Sequence, residues 1–240
     1  HRGDCISWPV MNYPYHTVPD SWFADIVPYA YATKDGLRHG YLSAKYIADA
    51  KVPGVVVECG VANGAQVGMM SRALRDANDP RRFHLFDSFE GIPMAGPKDT
   101  EQPGIGLIQD DVDAPLAERL KTSGVSACSA DQVKANLRKW GCFGEYAYHR
   151  GWFQDTVPHF HSLLPIALLR LDGDLYESTM VCLEHLYPLV APGGLVVIDD
   201  YALAGCATAV NEYLHDHYPD CRLQAADVGG GSRIATWTKP

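Results

Sequence analysis

The stretch Val55-Val-Val-Glu-Cys-Gly-Val-Ala-Asn-Gly64 decides the fold. Its opening β-branched run predicts a strand over 55–58. Two glycines, Gly60 and Gly64, then mark a turn, and residues 65–76 carry the pattern of a helix. The order of strand, glycine turn and helix is the repeating unit of an α/β sheet.

Strands and helices alternate along the rest of the chain. An amphipathic helix is expected over 36–50, before the first strand. Further strands are expected over 82–86, 146–149, 166–171 and 195–198, and further helices over 116–121, 129–140, 178–189 and 207–217. Residues 222–225 and 233–237 predict a closing hairpin. This pattern predicts a mainly parallel, doubly wound sheet with a C-terminal antiparallel hairpin, the Rossmann-like class I methyltransferase variant.

Composition excludes several classes of protein. The 240 residues are 47% hydrophobic and 20% charged, which is typical of a folded globular protein. A net charge of −9 without any basic run argues against nucleic-acid binding, and no apolar stretch is long enough to span a membrane. The first residues lack a signal-peptide pattern, and the seven cysteines include no CxxC pair. We therefore expect a cytoplasmic protein with reduced thiols.

Two segments stand outside the regular alternation. Residues 1–35 are rich in aromatic residues and prolines, which predicts an N-terminal arm or lid, with an oligomer contact left open. Residues 36–240 are expected to form a single domain, since 240 residues suit one large α/β domain. Within it, residues 94–128 form an irregular excursion that matches no recognisable pattern. Substrate is often read by such loops, so the acceptor and the oligomeric state stay open.

Acidic residues concentrate in the turns that follow the predicted strands. Ligands of parallel sheets bind at the carboxyl ends of the strands. Four of the five turns at that edge carry acids, and the five are Glu58 to Gly64, Asp87 to Glu90, Gly151 to Phe153, Asp172 to Asp174, and Asp199-Asp200. This concentration points to the site.

The first two of these turns favour an adenosine-containing ligand. Glycines let the backbone approach a ligand, and the following helix N-terminus favours an anion, here the carboxylate of a methionine moiety. Asp87 can accept hydrogen bonds from both hydroxyls of a ribose. The alternative is a ligand-free turn with a helix-capping aspartate.

The later acids favour a divalent metal. Asp172, Asp174, Asp199 and Asp200 follow two apolar strands that we expect to be neighbours. Crowded carboxylates repel one another and lose hydration, and a cation relieves both costs. All-oxygen ligands suit Mg²⁺ or Ca²⁺. The alternative is a group of solvated turn acids.

These residues resemble the macrocin O-methyltransferase (TylF-like) family of class I S-adenosylmethionine-dependent methyltransferases, from about residue 30 onward. The most specific strings are Leu171-Asp-Gly-Asp-Leu-Tyr-Glu-Ser-Thr-Met180 and Phe86-Asp-Ser-Phe-Glu-Gly91. The others are Val57-Glu-Cys-Gly-Val61, Gly151-Trp-Phe-Gln-Asp-Thr156, Leu186-Tyr-Pro, Pro192-Gly-Gly194 and Ile198-Asp-Asp-Tyr201.

The resemblance implies transfer of a methyl group from S-adenosylmethionine to a sugar hydroxyl of a glycosylated natural product, in antibiotic biosynthesis, with Mg²⁺ or another divalent metal. It assigns the metal to Asp172, Asp199 and Asp200, and the general base to Asp174. The cofactor-binding residues are expected to be Glu58, Gly60, Asn63, Gly64, Asp87, Ser88, Gly151 and Trp152. The chain departs from the family at Ala62-Asn63, where the family often has Trp-Arg.

Other functions remain in view. A catechol-type O-methyltransferase would use the same metal chemistry on a phenolic diol, and a non-catalytic binding domain would need none of it. An NAD-linked oxidoreductase is disfavoured because GxGxxG is missing. His149 and His159 are weaker alternative bases. Since three carboxylates cannot fill six metal positions, the acceptor is expected to be a vicinal diol on a deoxysugar.

Overall fold

The computed structural model describes residues 15–99 and 109–240. The strands are β1 Val55–Cys59, β2 Arg82–Asp87, β3 Glu145–Arg150, β4 Ile166–Leu171, β5 Val190–Ile198, β6 Gln224–Asp227 and β7 Arg233–Thr238. The α-helices are α1 Lys34–Asp49, α2 Ala65–Asp76, α3 Leu116–Arg119, α4 Ala130–Lys139, α5 Phe153–Thr156, α6 Tyr176–Leu186 and α7 Ala204–His217. In these ranges, no helix has the length and apolar character needed to cross a membrane.

The strands form one seven-stranded sheet in the order β3-β2-β1-β4-β5-β7-β6. Neighbouring strands from β3 to β5 are parallel. β7 runs antiparallel to β5 and pairs with β6 as the C-terminal hairpin. The predicted fold class, a mainly parallel doubly wound sheet with an antiparallel hairpin, is confirmed.

The central strands are buried on both faces, which explains their continuous apolar runs. Every residue of β1 and of β4 is buried. One face packs against α1 and α2 through side chains such as Leu37 and Met70, and the other packs against α6 and α7 through Leu183 and Val210. The core therefore lies on both sides of β1 and β4, and holds their carboxyl ends in fixed positions.

The start of β5 differs from the sequence prediction. Pro192-Gly-Gly194 was expected to be a turn before a strand over 195–198, but it lies inside β5, and α6 ends at Leu186. The backbone explains the difference, because the Gly193 N–H donates to the Lys239 carbonyl at 2.8 Å and the Lys239 N–H donates to Gly194 at 2.9 Å. Pairing with the chain beyond β7 thus extends the strand through residues typical of a turn.

The described part of the predicted arm packs on the core. Phe23 and Ile26 are fully buried in the cluster that covers α1 and α2. Residues 29–33 continue to the carboxyl edge of the sheet, where Thr33 caps α1 by accepting the Gly36 N–H at 3.0 Å. Residues 1–14 of the predicted arm lie outside the described residues. The segment 15–33 thus leads from the core to the edge where the acids lie.

The described part of the excursion is tied to α6. Asp99 is fully buried and accepts the N–H of Tyr176, the first residue of α6, at 2.9 Å. The Arg119 guanidinium donates to Glu177 at 2.7 Å. This segment, which has no sequence pattern, therefore binds the first turn of α6, the helix that follows the Asp172–Asp174 turn.

Candidate active site

A cavity of about 240 Å³ opens at the carboxyl edge of the parallel strands. It is walled by the turns after all five parallel strands, by residues of the segment 29–36, and by the hairpin residues Val228 and Ser232. Its lining includes eleven of the twelve residues predicted for the site: Glu58, Gly60, Asn63, Asp87, Ser88, Gly151, Trp152, Asp172, Asp174, Asp199 and Asp200. The twelfth, Gly64, begins α2 next to the lining residue Ala65.

The glycine turn after β1 lets two strand ends approach closely. Gly60 has φ +88°, and a Cβ there would lie 1.7 Å from the carbonyl oxygen of Asp172. Gly64 has φ +82°, and a Cβ there would meet Val133 at 2.9 Å. Only glycine fits the first position, because the obstructing atom is backbone. The turn therefore brings Glu58 of β1 and the acids that follow β4 into one cavity.

Asp87 binds the glycine turn. Its carboxylate accepts the N–H groups of Val61 at 2.7 Å, Ala62 at 3.2 Å and Phe89 at 2.7 Å. Burial raises the pKa of Asp87, against the lowering effect of these bonds. A carboxylate has about four acceptor positions, so capacity remains for a ligand hydroxyl. The predicted ribose contact stays a prediction, and the residue also holds the turn.

Other predicted cofactor residues make hydrogen bonds within the protein. The Ser88 hydroxyl donates to the Gly91 carbonyl at 2.7 Å, and the Asn63 amide donates to Tyr29 at 3.1 Å. Trp152 caps α5, where its carbonyl accepts the Thr156 hydroxyl at 2.9 Å. Gly151 adopts φ +140° and donates its N–H to the backbone carbonyl of Asp87 at 3.0 Å. These residues shape the cavity wall.

Arg170 is a site residue that the sequence analysis did not single out. It lies in β4 with 2% of its side chain exposed. Its Nη1 donates to Glu58 at 2.7 Å and to Asp172 at 2.9 Å, and its Nη2 donates to Asp199 at 2.5 Å. The available signal was a single charge inside the apolar run Ile166–Leu171, placed among turns that carry acids.

Glu58 is buried, with 1% of its side chain exposed. One carboxylate oxygen, Oε1, accepts from Arg170, while Oε2 has no hydrogen-bond partner in the described structure. Burial raises the pKa of Glu58 to about 8, although Arg170 acts to lower it. A buried acceptor without a partner at the cavity wall suits a ligand that donates hydrogen bonds.

Asp172, Asp174 and Asp200 form the acid cluster. Each offers one carboxylate oxygen, and these oxygens lie within 4.8 Å of one another. Asp174 has φ +58°, and its N–H donates to Asp200 at 2.9 Å. Burial, followed by repulsion from neighbouring carboxylates, raises the pKa of Asp174 to about 7 and that of Asp200 well above its ordinary value.

Asp199 has a different environment from the acid cluster. Its Oδ1 accepts from Arg170, and burial raises its pKa to about 6 against the lowering effect of that cation. The metal set predicted from the sequence was Asp172, Asp199 and Asp200. The set within mutual reach contains Asp174 in place of Asp199. Asp172 and Asp200 are common to both sets.

The acid cluster fits a divalent cation. Its donors are all carboxylate oxygens, which Mg²⁺, Ca²⁺ and Mn²⁺ prefer. Asp200 accepts one backbone N–H, while three neighbouring carboxylates raise its pKa. Arg170 contacts only Asp172 of the three, so a cation bound among them would relieve the repulsion between Asp174 and Asp200.

The alternative bases lie elsewhere. His149 stacks on Phe86 with ring centroids 4.1 Å apart, and its Nε2 lies 2.9 Å from Nδ1 of His84. Burial lowers the pKa of His149. His159 ends a 3₁₀ turn that follows α5. Among the described residues, the cavity lining includes neither histidine.

Known proteins resemble this chain in sequence and in structure. The profile of the family "Macrocin-O-methyltransferase (TylF)" matches residues 26–231. The 8-demethyl-8-(2,3-dimethoxy-alpha-L-rhamnosyl)-tetracenomycin-C 4'-O-methyltransferase of Streptomyces olivaceus is 39% identical over 175 residues, covering 72% of this chain and 62% of that protein. The demethyldecarbamoylnovobiocin O-methyltransferase of Streptomyces niveus is 40% identical over 166 residues, covering 68% and 58%.

The chain thus spans 58–62% of the length of these two curated relatives. The solved structure of the O-methyltransferase NovP has a TM-score of 0.68 and 31% identity, and the match covers 88% of this chain and 82% of that one. The resemblance predicted from the sequence is confirmed by the family profile, and the fold by this superposition. The chain belongs to the macrocin-O-methyltransferase (TylF) family.

Proposed function

We propose that this chain transfers a methyl group from S-adenosylmethionine to a sugar hydroxyl of a glycosylated natural product, and that it uses a divalent cation. The family supports the reaction class, and the names of two relatives, a rhamnosyl-tetracenomycin methyltransferase and a novobiocin-type methyltransferase, support the acceptor class. One observation carries the proposal: the glycine turn after β1 and the acid cluster line the same cavity.

The cofactor half of the cavity is the part nearest β1 and β2. The N-terminus of α2 attracts an anion, which suits the carboxylate of the methionine moiety. Glu58 Oε2 is a free buried acceptor, which suits the ammonium group of that moiety. Asp87 keeps acceptor capacity for a ribose hydroxyl. The acidic lining also suits the positive sulfonium.

The metal half is the acid cluster. Asp172 and Asp200 are the two ligands on which the sequence pattern and the spatial grouping agree. The third carboxylate is Asp199 by resemblance and Asp174 by proximity. When bound, a divalent cation there would lower the pKa of a coordinated hydroxyl and orient it.

Asp174 is the proposed general base. Burial raises the pKa of Asp174 to about 7 in the metal-free protein, which favours proton uptake by its carboxylate. The Asp174 side chain lines the cavity beside Asp172 and Asp200, where it could accept the proton of a bound hydroxyl. Its φ of +58° turns the residue back toward Asp200 through the backbone N–H. The remaining requirement is alignment of hydroxyl oxygen, methyl carbon and sulfur nearly in line, which the cavity walls impose on both substrates.

The acceptor is proposed to be a vicinal diol. Three carboxylates leave coordination positions open, and two adjacent hydroxyls suit two of them. Tyr29 and Tyr31 line the cavity, and Tyr31 is 69% exposed, so an aromatic rim is available for an apolar aglycone. Ile92, Pro93 and Phe153 add apolar lining.

The test is methyl transfer measured by mass spectrometry, with saturating S-adenosylmethionine, with Mg²⁺ or excess EDTA. The acceptors are a glycoside with a vicinal diol, its two singly deoxygenated analogues, and a phenolic diol. We expect metal-dependent methylation of the glycoside. Slower methylation is expected for the analogue that lacks the neighbouring, non-methylated hydroxyl.

Three outcomes contradict parts of the proposal. Full activity in EDTA contradicts the metal role, and an equally fast deoxygenated analogue contradicts chelation by the diol. Methylation of the phenolic diol alone would identify a catechol-type enzyme. Failure to bind S-adenosylmethionine, together with no transfer to any acceptor, would identify a non-catalytic domain.

A further inference from the structure

We propose that Arg170 is a positioning residue that sets the geometry of the cofactor half and the metal half of the cavity together. This inference rests on the proposed function, because the proposed function assigns the cofactor half and the metal half of the cavity. Arg170 lies at the point where the acids of three adjacent strands meet, since its guanidinium contacts Glu58 within β1, Asp172 after β4 and Asp199 after β5.

The sheet register explains why one side chain reaches all three. Arg170 pairs with Glu58 across β1 and β4, and with Val197 across β4 and β5. Asp172 and Asp199 lie two residues beyond Arg170 and Val197, so strand alternation puts them on the same face as Arg170. A planar guanidinium can then span the three strand ends with its forked N–H groups.

The hydrogen bonds orient the acids. Oε1 of Glu58 accepts from Arg170, and Oε2 has no hydrogen-bond partner among the described groups. Oδ1 of Asp199 accepts from Arg170, as does Oδ2 of Asp172, which also belongs to the acid cluster. The arginine thus engages one oxygen of each carboxylate and fixes the direction of the other.

Among the described residues of the site, Arg170 is the only buried cation available to orient these acids. His39 on α1 is the nearby titratable group behind it, and burial, with the charge of Arg170, lowers the pKa of His39 to about 3. His39 is therefore neutral at physiological pH. One guanidinium faces three carboxylates, so its geometry decides how they are arranged.

The test uses Arg170→Lys, which keeps the charge and removes the fork. Binding of Mn²⁺ alone and of S-adenosylhomocysteine alone is measured by calorimetry on the folded variant. Partners that orient metal ligands typically change metal affinity 10–100-fold, so we expect Mn²⁺ to bind at least about tenfold more weakly. S-adenosylhomocysteine is also expected to bind more weakly, because Glu58 is no longer held in its orientation.

The matched control is Arg81→Lys. Arg81 is also a largely buried arginine, bonded to Asp79 and to backbone carbonyls, and lies outside the cavity. The Arg81→Lys substitution is expected to lower the unfolding temperature and to leave the dissociation constants of Mn²⁺ and S-adenosylhomocysteine unchanged. If Arg170→Lys behaves like this control, its role is structural and the inference is wrong. If the unaltered protein binds neither probe, the proposed function fails instead.

A second measurement does not depend on the variant folding. In the unaltered protein with ¹⁵N-labelled arginine, the Nη signals of Arg170 are expected to be separate, because hydrogen bonds hinder rotation of the guanidinium. Spectra of Arg119→Lys, Arg81→Lys and Arg72→Lys assign the signals of other buried or half-buried arginines that donate hydrogen bonds to carboxylates. The Arg170 signals are expected to shift on adding Mg²⁺ and, separately, on adding S-adenosylhomocysteine. One averaged signal, or a response to neither ligand, would overturn the inference.

Discussion

Two groups of acids share the carboxyl edge of the sheet, and they differ in what neutralises them. Glu58 and Asp199 accept hydrogen bonds from the buried Arg170. Among the described residues, Asp174 and Asp200 contact no cation, and their pKa values are raised by burial and by neighbouring carboxylates. Asp172 belongs to both groups, because it accepts a hydrogen bond from Arg170 and also lies in the acid cluster. Residues of one chemical type at one edge thus divide into an arginine-bound group and a group that fits a metal.

The largest expected effect is a loss of turnover in Asp200→Ala, compared with the unaltered enzyme. Loss of a metal ligand removes several kcal/mol of transition-state stabilisation, so turnover should fall about a thousandfold or more. Stability should stay the same or rise, because the variant loses a buried carboxylate that is repelled by its neighbours. Turnover and urea unfolding are the measurements.

Asp199→Ala is the counterpart in the arginine-bound group. It leaves the Nη2 group of the buried Arg170 without its acceptor, which should cost about 1–3 kcal/mol of folding stability. Equal destabilisation by Asp200→Ala would contradict the division into two groups.

The next effect concerns Asp174→Asn. It removes the proposed proton acceptor and keeps the shape, so kcat should fall about 10²–10⁴-fold with little change in either ligand's affinity. Asparagine tolerates the left-handed backbone at this position, so the fold should persist. Asp111→Asn, another aspartate with positive φ but exposed, is the control. Near-native turnover of Asp174→Asn would show that the base lies elsewhere.

A smaller effect is expected for Asp87→Ala. The variant loses hydrogen bonds from the glycine turn and the proposed ribose contact, each worth at most about 1.5–3 kcal/mol when a charge assists. S-adenosylmethionine should therefore bind more weakly, as measured by calorimetry. A dissociation constant equal to that of the unaltered protein would show that Asp87 acts only in the turn.

The smallest effect is the pH dependence of stability in EDTA-treated protein. Burial raises the pKa of Glu58 to about 8 and that of Asp174 to about 7, so the folded state retains protons that the unfolded state has already released. Stability should then fall as pH rises from about 6.5 to about 8. His39 and His84, with lowered pKa values, act in the opposite direction, and their effect fades within about one unit above their ordinary value of 6.5.

Urea unfolding at several pH values measures this slope. Glu58→Gln should reduce it, whereas Asp227→Asn should not, because the Asp227 side chain is 89% exposed. A slope in Glu58→Gln equal to that of the unaltered protein would show that Glu58 is ionised throughout the range.

The sequence predicts much of this fold because the parallel strands are buried on both faces. Val55–Cys59 and Ile166–Leu171 are continuous apolar runs apart from the charged site residues, and such runs are strong strand signals. The start of β5 could not be predicted, since Pro192-Gly-Gly194 forms a turn in most contexts. Its pairing with Lys239 depends on where the chain returns after β7.

The location of the site was also predictable, because parallel strands end at one edge and acids follow most of them. The partners of the individual acids were not. Arg170 reaches Asp199 only because β5 lies beside β4, and Asp174 approaches Asp200 only through its left-handed backbone. Strand order and backbone conformation are set by tertiary packing, which the local sequence does not specify.

The most direct test of the metal assignment is diffraction from crystals grown with Mn²⁺ and S-adenosylhomocysteine, with anomalous scattering recorded for manganese. The account predicts one manganese ion bound by Asp172 and Asp200 within the acid cluster, with Arg170 still donating to Asp199. Absence of manganese from this cluster at saturating Mn²⁺, or Arg170 displaced from Asp199 by the ion, would contradict it.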